Sequence, residues 1–597
     1  MPAYKAPVKE TLFLLNDVFN IEQYRSLRGF EDLSPDLLSA IFEEAGKLAG
    51  EVLQPINLSG DQQGCKRLPD GSITTPDGFI AAYNTLKDGG WVGLSADEAH
   101  GGQGLPATLT ILINEYFASA NLAFGMYAGL SQGAYAALNV HASDDVKSKF
   151  MEKLASGEWT GTMNLTEPHC GTDLGLLRTK AVRADDGSYN ISGTKIFISA
   201  GDHDLAENIV HLVLARIEGA PEGTKGVSLF VVPKRKVDAD GNAAETNGVT
   251  CGSLEEKMGI HGNATCVMNF DDANGWLIGE ENRGLKAMFV MMNEARMGVA
   301  VQGLSVSEAA YQNAVTYARD RLQGRSLTGP KFPDKIADPI IVHPDIRRTL
   351  MSIRSFNEAA RALIVWTALK SDEAHRTPDS DARQKASDHL SLLTPVLKGV
   401  LTDRGFDNTV AAQQVYGGHG YISEWGMEQF VRDARIPMIY EGANGIQALD
   451  LVGRKLPADG GRALQAFLGE IGMFIQAHAT DEDMQPFVLP LKTAAEDLQA
   501  ATMWFMQNAL GNPDHAGAGS TDYMHMFGLV SLGYMWARMA HVCLQQKSEG
   551  KGDVAFHDDK LLLGTFFAER HLPETAFRRV RVENGSESMM KMAADRF

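Results

Sequence analysis

Apolar residues recur at helical spacing early in the chain. Leu37, Ile41, Ala45, Leu48 and Val52 fall on one stripe. Ser34 before Pro35 supplies an N-cap and a first-turn proline, so a helix should begin there. Two glycine clusters follow, Gly89-Gly90-Trp91-Val92-Gly93-Leu94 and His100-Gly101-Gly102-Gln103-Gly104, and predict tight turns between helices. The uncharged stretch from Tyr116 to Ser143 carries Ser119, Asn121, Gln132 and Asn139, too many polar groups for a membrane span. It predicts buried helices broken between Gly125 and Gly133. Near residue 160 the period changes. The runs 180–184 and 189–198 flank Asp186-Gly187 and predict a β-hairpin, with 209–214 and 227–232 as further strands. From Gly284 the helical period returns, with Leu285, Met288, Phe289 and Met292 on one face. It persists to about residue 455. The segment 456–461 reads as a linker, and Leu464, Phe467, Ile471, Phe474 and Ile475 open a last helical region. There Trp504, Phe505, Phe527, Leu529, Leu532 and Trp536 predict a buried core.

The pattern is α+β and mostly α. It divides into an N-terminal extension (1–34), a helical domain (35–160), a β-domain (161–278), a helical bundle (279–455) and an additional helical domain (462–597). A chain of 597 residues is long enough for several domains. Its net charge of −20 disfavours nucleic acid and anionic membrane surfaces as partners. Five scattered cysteines form neither a disulfide framework nor a zinc motif, so no metal is expected and a reducing compartment fits. The opening Met-Pro-Ala-Tyr-Lys-Ala-Pro lacks a signal-peptide pattern, and a cytoplasmic location follows as the expectation. Arg578, Arg579, Arg581 and Lys591 read as a solvated charge cluster.

Five segments carry candidate chemistry. Leu165-Thr166-Glu167-Pro168-His169-Cys170-Gly171-Thr172-Asp173 offers hydroxyls and turn amides to an anionic or carbonyl-rich ligand, though it also suits an ordinary loop capped by Asp173. In Gly193-Thr194-Lys195-Ile196-Phe197-Ile198-Ser199, Phe197 and Ser199 share a strand face and could wall a flat ring with polar edges. A core Phe beside a strand-end Ser fits the same spacing. Ala318-Arg319-Asp320-Arg321 holds arginines suited to phosphate, or to a solvated helix face. Gln414-Val415-Tyr416-Gly417-Gly418-His419-Gly420 ends a helix and lets backbone approach a ligand closely. In Ile436-Pro437-Met438-Ile439-Tyr440-Glu441-Gly442 a carboxylate follows an apolar run. Poor solvation there would raise its pKa towards that of a general base, whereas most glutamates are simply surface acids.

Taken in order from about residue 35 to about residue 455, these motifs resemble the acyl-CoA dehydrogenase family of flavoproteins. The resemblance implies an N-terminal helical domain, a central β-domain and a helical bundle. The added N-terminus and C-terminal helical domain look like the large-subunit branch that includes 3-methylthiopropionyl-CoA dehydrogenases. That branch implies fatty acid metabolism or dimethylsulfoniopropionate degradation. It implies FAD as cofactor, with Thr166 and Ser199 bonded to the isoalloxazine edge, Phe197 packed on the ring, Leu165 giving backbone contacts and Thr172 near the pyrophosphate. Arg321, Gln414 and Gly418 would reach the FAD of a neighbouring subunit in a homodimer. Glu441 matches the catalytic base, Tyr440 lies beside the thioester, and Arg296 matches a helix arginine behind the site. Three positions depart from the family pattern: Ala443 where a threonine is usual, Leu322-Gln323 where the motif carries a phenylalanine before its glycine, and Ala200 where an asparagine is usual. Some members carry the base directly before the arginine, which is Ala295 here. Glu294 is one residue off, about 100° around the helix, so Glu441 is the choice.

The implied reaction is α,β-dehydrogenation of an acyl-CoA thioester, with an electron-transfer flavoprotein as acceptor. Glu441 takes the α-proton, and hydrogen bonds to the thioester oxygen stabilise the developing enolate. An acyl-CoA oxidase, a non-catalytic scaffold and an acyl-CoA-binding protein are the alternative readings.

Overall fold

The computed structural model describes residues 2–597. Two compact units are formed, one from residues 44–298 and one from residues 1–43 together with 299–597.

Helix α1 (Pro35–Leu48) starts where the sequence predicts, with Ser34 Oγ accepting from the Leu37 N–H at 3.2 Å. Its buried stripe keeps Ala45 and Leu48 of the predicted set and otherwise shifts by one residue. Leu38, Phe42, Ala45 and Ala49 are fully buried, whereas Leu37 is 40% exposed. Helix α2 (Phe79–Asp88) precedes the glycine-rich turns, and α3 (Ala107–Ala120), α4 (Leu122–His141) and α5 (Asp144–Ser156) follow. The break in the long uncharged stretch falls at Asn121, not at the glycines. Asn121 adopts an extended conformation, and its Oδ1 caps α4 by accepting from the Phe124 N–H at 3.1 Å. A side-chain cap at a fully buried residue outweighs the mild helix penalty of Gly125, Gly129 and Gly133.

Seven strands build the sheet: β1 (Trp159–Asn164), β2 (Lys180–Arg183), β3 (Tyr189–Ser199), β4 (Asn208–Ile217), β5 (Val227–Pro233), β6 (Val249–Leu254) and β7 (Thr265–Ile278). The order is β6-β7-β3-β2-β4-β1, and β5 pairs with both β7 and β4, so β7-β3-β2-β4-β5 closes into a ring. Closure removes most free edges. Strands β2 and β3 form the predicted antiparallel hairpin, while β4 runs parallel to β1 and β2. Strand β4 is buried on both faces. Val210, Leu212 and Leu214 join Phe150, Leu154 and Trp159, and Val213 and Ala215 join Ile191, Phe230 and Val232.

Helix α6 (Gly284–Asp320) runs through residues of both units. The predicted face at its start is mixed, since Met288 is fully buried and Phe289 is 38% exposed. The second unit continues with α7 (Pro344–Arg376), α8 (Ser380–Val415), α9 (Arg462–Ala477), α10 (Gln485–Asn508), α11 (Asp514–Ser548), α12 (Val554–Arg570) and α13 (Glu574–Glu583). The appended helices share a core with the bundle: Trp536 on α11 is buried and donates to the Ser355 carbonyl of α7 at 3.0 Å. The N-terminal extension is built into the same unit. Buried Lys560 on α12 pairs with Glu10 and, at 2.7 Å, with Glu358 on α7. The C-terminal arginines are ion-paired instead of merely solvated: Arg578 and Arg581 meet Asp522, and Arg579 meets Asp497 and Glu583. No helix among the described residues is long and apolar enough to cross a membrane. All five cysteines are free thiols.

Candidate active site

In the residue 44–298 unit, the loop after β1 is tied to the end of β3. The Ile196 N–H donates to the Thr166 carbonyl at 2.9 Å. Lys195, fully buried, donates Nζ to the Leu165 carbonyl at 3.0 Å and to Glu167 Oε1 at 2.8 Å. These bonds set Leu165 and Thr166 beside Ile196 and Phe197, with Ser199 two residues on. Phe197 has φ +60° and is 60% exposed, and Ala200 has φ +53°. A bulky residue in left-handed backbone is strained, and its exposed ring forgoes the gain of burial as well. The register with β7 also shifts here, so strict alternation does not hold and the shared-face argument for Phe197 and Ser199 loses its basis. What remains is an exposed ring two residues before Ser199, in a segment whose backbone is bonded to the Thr166 loop.

Glu167 is the anchor of that loop. Its Oε2 accepts from the Arg178 N–H, and its Oε1 also accepts from the Thr179 N–H and hydroxyl. Burial alone would raise its carboxyl, but Lys195 and these donors overcome that and hold it below the usual range. Glu167, His169 and Cys170 place ligand atoms within 4.8 Å of one another, but this carboxylate is already paired with Lys195 and accepts from Arg178 and Thr179. Thr172 and Gly171 lie exposed further along. Asp173 caps the turn at Leu174–Leu176 by accepting from the Gly175 N–H at 2.9 Å. Arg296 is half-buried on α6. Glu294, two residues before it, is exposed, and the protein packed near it shifts its carboxyl upward.

In the other unit, Tyr440-Glu441-Gly442 forms a left-handed turn, with φ +56° at Glu441 and +87° at Gly442. Tyr440 donates its hydroxyl to Gln302 Oε1, and burial reinforced by the Glu441 carboxylate raises its phenol well above the ordinary value. Glu441 is half-buried. Ile436 and Met438 are half-buried and Ile439 is 49% exposed, because residues 436–438 curl into one 3₁₀ turn. The apolar shelter expected of that run is therefore partial. Arg321, at the end of α6, lines a cavity of ≈ 590 Å³ with Tyr317, Tyr416, His419, Trp425 and the N-terminal Ala3. Tyr317 stacks on Tyr416 at 4.1 Å and His419 on Trp425 at 4.4 Å. Gln414 is exposed on the last turn of α8, and an added Cβ at Gly417 or Gly418 would meet nothing, so that backbone is open to a ligand.

Sequence reasoning missed Lys195, Gln302, Lys398, Asn444 and Gln447. Lys195, Gln302, Lys398 and Asn444 act through contacts distant in sequence, and Gln447 through carbonyls five and six residues before it; none has a local signature. Lys195 and Lys398 lie in apolar stretches, and that was the one available hint, since a lysine is rarely buried without a partner.

Domain models of the acyl-CoA dehydrogenase family match consecutively: the N-terminal domain over residues 70–158, the middle domain over 162–273, the C-terminal domain over 282–456, and an acetyl-CoA dehydrogenase C-terminal-like domain over 467–593. The chain belongs to the acyl-CoA dehydrogenase family, FAD-dependent oxidoreductases acting on CH–CH groups. It is 40% identical over 594 residues to 3-methylmercaptopropionyl-CoA dehydrogenase of Ruegeria pomeroyi, covering 98% of this chain and 99% of the relative. It is 34% identical to a broad-specificity linear acyl-CoA dehydrogenase of Mycobacterium tuberculosis, covering 99% of each. Among solved structures, the Bacillus anthracis acyl-CoA dehydrogenase complexed with FAD superposes with TM-score 0.74 over 96% of this chain and 93% of that one, at 21% identity, which speaks to the fold.

Proposed function

We propose that this protein dehydrogenates 3-methylthiopropionyl-CoA, or another short- to medium-chain acyl-CoA, to the trans-2-enoyl thioester, with Glu441 as the α-proton base. The observation that carries the residue assignment is the left-handed turn at Glu441, a conformation of real cost held rigidly around a half-buried carboxylate. The R. pomeroyi relative supports the substrate.

FAD fits the residues present. An exposed phenyl ring held in strained backbone is a platform for a flat heterocycle, and Thr166 and Ser199 flank it. Leu165 and Thr172 belong to the same loop. Arg321, Gln414 and Gly418 offer a guanidinium, an amide and open backbone to the FAD of a second subunit, so a homodimer completes the site. When bound, FAD supplies the acceptor for the β-hydride. Glu441 removes the α-proton, its own backbone N–H donates to the thioester oxygen, and Tyr440 borders the acyl group. An electron-transfer flavoprotein then takes the electrons, in the cytoplasm.

The test is anaerobic flavin bleaching across an acyl-CoA series that includes 3-methylthiopropionyl-CoA and butyryl-CoA. We expect 3-methylthiopropionyl-CoA to bleach fastest. Glu441→Gln should retain FAD and lose about 10²–10⁴-fold or more in bleaching rate. Wild-type bleaching by that variant would refute the base assignment, and a uniform series would refute the substrate.

A further inference from the structure

The turn that carries Glu441 is held from behind by a chain of buried polar groups, and that chain ends in the appended C-terminal domain. Two successive positive φ values leave the Glu441 and Gly442 carbonyls without regular helical partners, and the short helix Asn444–Asp450 that follows has no side-chain cap. Other groups fill both needs. Gln447 Nε2 donates to the Glu441 and Gly442 carbonyls, each at 3.1 Å. Lys398 on α8, fully buried, donates Nζ to the Gly442 carbonyl at 2.8 Å and to Asn444 Oδ1 at 2.8 Å. Asn444 Nδ2 in turn donates to Asp403 Oδ1 at 2.6 Å and to the Thr402 hydroxyl at 2.9 Å. Asp403 Oδ2 meets Nε2 of His525 at 2.9 Å, and His525 lies on α11. Asn444 is 8% and His525 6% exposed.

We propose that the appended domain takes part in the chemical step: the line His525–Asp403–Asn444–Lys398 positions the turn that aims Glu441. This rests on the reading of Glu441 as the base. The physical case is that a left-handed non-glycine residue is strained and persists only when its surroundings over-determine it. A buried ammonium bonded to the carbonyl next to the base is a strong, directional restraint, because charge-assisted hydrogen bonds are roughly twice as strong as neutral ones. Asn444 is held from both ends: Lys398 occupies its oxygen, and Asp403 shares its N–H groups with the Thr402 hydroxyl and the Gly399 carbonyl. The imidazole of His525 fixes the second oxygen of Asp403 and so fixes the orientation of the first. None of these groups needs to touch the substrate; all four are positioning residues. A misplacement of about 1 Å at a reacting group can cost on the order of 10²-fold in rate, so removal of the far end should be felt at the base.

The experiment uses the full-length holoenzyme. His525→Leu removes the imidazole, and His525→Gln restores a donor near the Nε2 position. Bleaching by butyryl-CoA and by its α-dideuterated form is followed at saturating substrate, alongside flavin content, melting temperature and the substrate dissociation constant from spectral perturbation. We expect His525→Leu to slow bleaching by about tenfold or more, in keeping with a sub-ångström misplacement. The α-deuterium isotope effect should rise, while flavin content and substrate affinity hold. His525→Gln should recover most of the rate. Lys398→Met should show the larger defect, and if it fails to fold the His525 pair decides alone. Bleaching by His525→Leu at the wild-type rate, or a loss that follows flavin content with an unchanged isotope effect, overturns the proposal. Glu441→Gln run in parallel separates the two readings. If it is inert while His525→Leu is normal, only the positioning claim fails; if it bleaches normally, the base assignment fails first.

Discussion

Phe197 and Glu441 sit in left-handed backbone, where a side chain is paid for in strain, and both belong to proposed ligand contacts. Glycine at 197 would relieve the backbone and remove the ring. We therefore expect Phe197→Gly to melt at or above the wild-type apoprotein temperature but to bind FAD about tenfold more weakly, the worth of one aromatic stacking contact. Calorimetry of the apoprotein and a flavin titration check the two halves separately. Glu167 and Lys195 give a pH prediction. The Glu167 carboxyl is held low in the fold, so its contribution is fully present above about 4.5, its ordinary value, and disappears as pH falls through the depressed native value. Burial pulls Lys195 below its ordinary 10.5, and the Glu167 carboxylate opposes that shift. Glu167→Gln should flatten the acid limb of stability against pH and cost about 3–5 kcal/mol near neutrality, because it leaves a buried ammonium unpaired. Urea unfolding between mildly acid and neutral pH reads both effects.

Helices α3 and α4 show how an element boundary is set by one buried amide. Asn121 caps α4 and also donates to the Leu53 carbonyl at 3.5 Å. Asn121→Ala should destabilise the residue 44–298 unit by about 1–2 kcal/mol, the range of a lost N-cap. Gly129, inside α4, points an empty position to solvent, where an added Cβ meets nothing. Gly129→Ala should stabilise the same unit by about 0.5–1 kcal/mol through lower unfolded-chain entropy. At Gly133 a Cβ would come within 3.1 Å of Met291 Cγ. The paired variants, compared by denaturant midpoint, test whether the predicted break was a glycine effect. A larger loss at Gly129→Ala than at Asn121→Ala would reverse the assignment made here.

The unit formed by residues 1–43 and 299–597 is tied together by buried charge. Lys560 is 1% exposed and pairs with two carboxylates from different parts of the chain, Glu10 and Glu358; Arg354 also bonds Glu358, at 2.7 Å. Burial raises the Glu10 carboxyl, while Glu358, despite burial, is held low by Lys560 and Arg354. Lys560→Met would leave those carboxylates without their shared cation and should destabilise this unit by about 3–5 kcal/mol. Adding Glu10→Gln should recover part of the loss, since it removes one stranded charge. Thermal unfolding of the single and double variants measures the coupling. Independent, additive losses would show that the three groups do not act together.

Local physics made much of this protein legible in advance. The Ser34-Pro35 start of α1, the Asp186-Gly187 hairpin, the change of period near residue 160 and the buried aromatics of α11 are all consequences of spacing and turn chemistry within a few residues. The Glu441 and Phe197 segments could be singled out because their short motifs resemble a family. The burial of Leu38 in place of Leu37, the break at Asn121 and the bulge that carries Phe197 out of strand alternation depend on what packs against each element. The same holds for the line from His525 to the Glu441 turn, in which each hydrogen-bonded pair is separated by 41 or more residues and no periodicity connects the partners. A hydrogen bond between distant residues forms only once the core has brought them together, so folding in three dimensions chose which of the buried polar groups would hold the base.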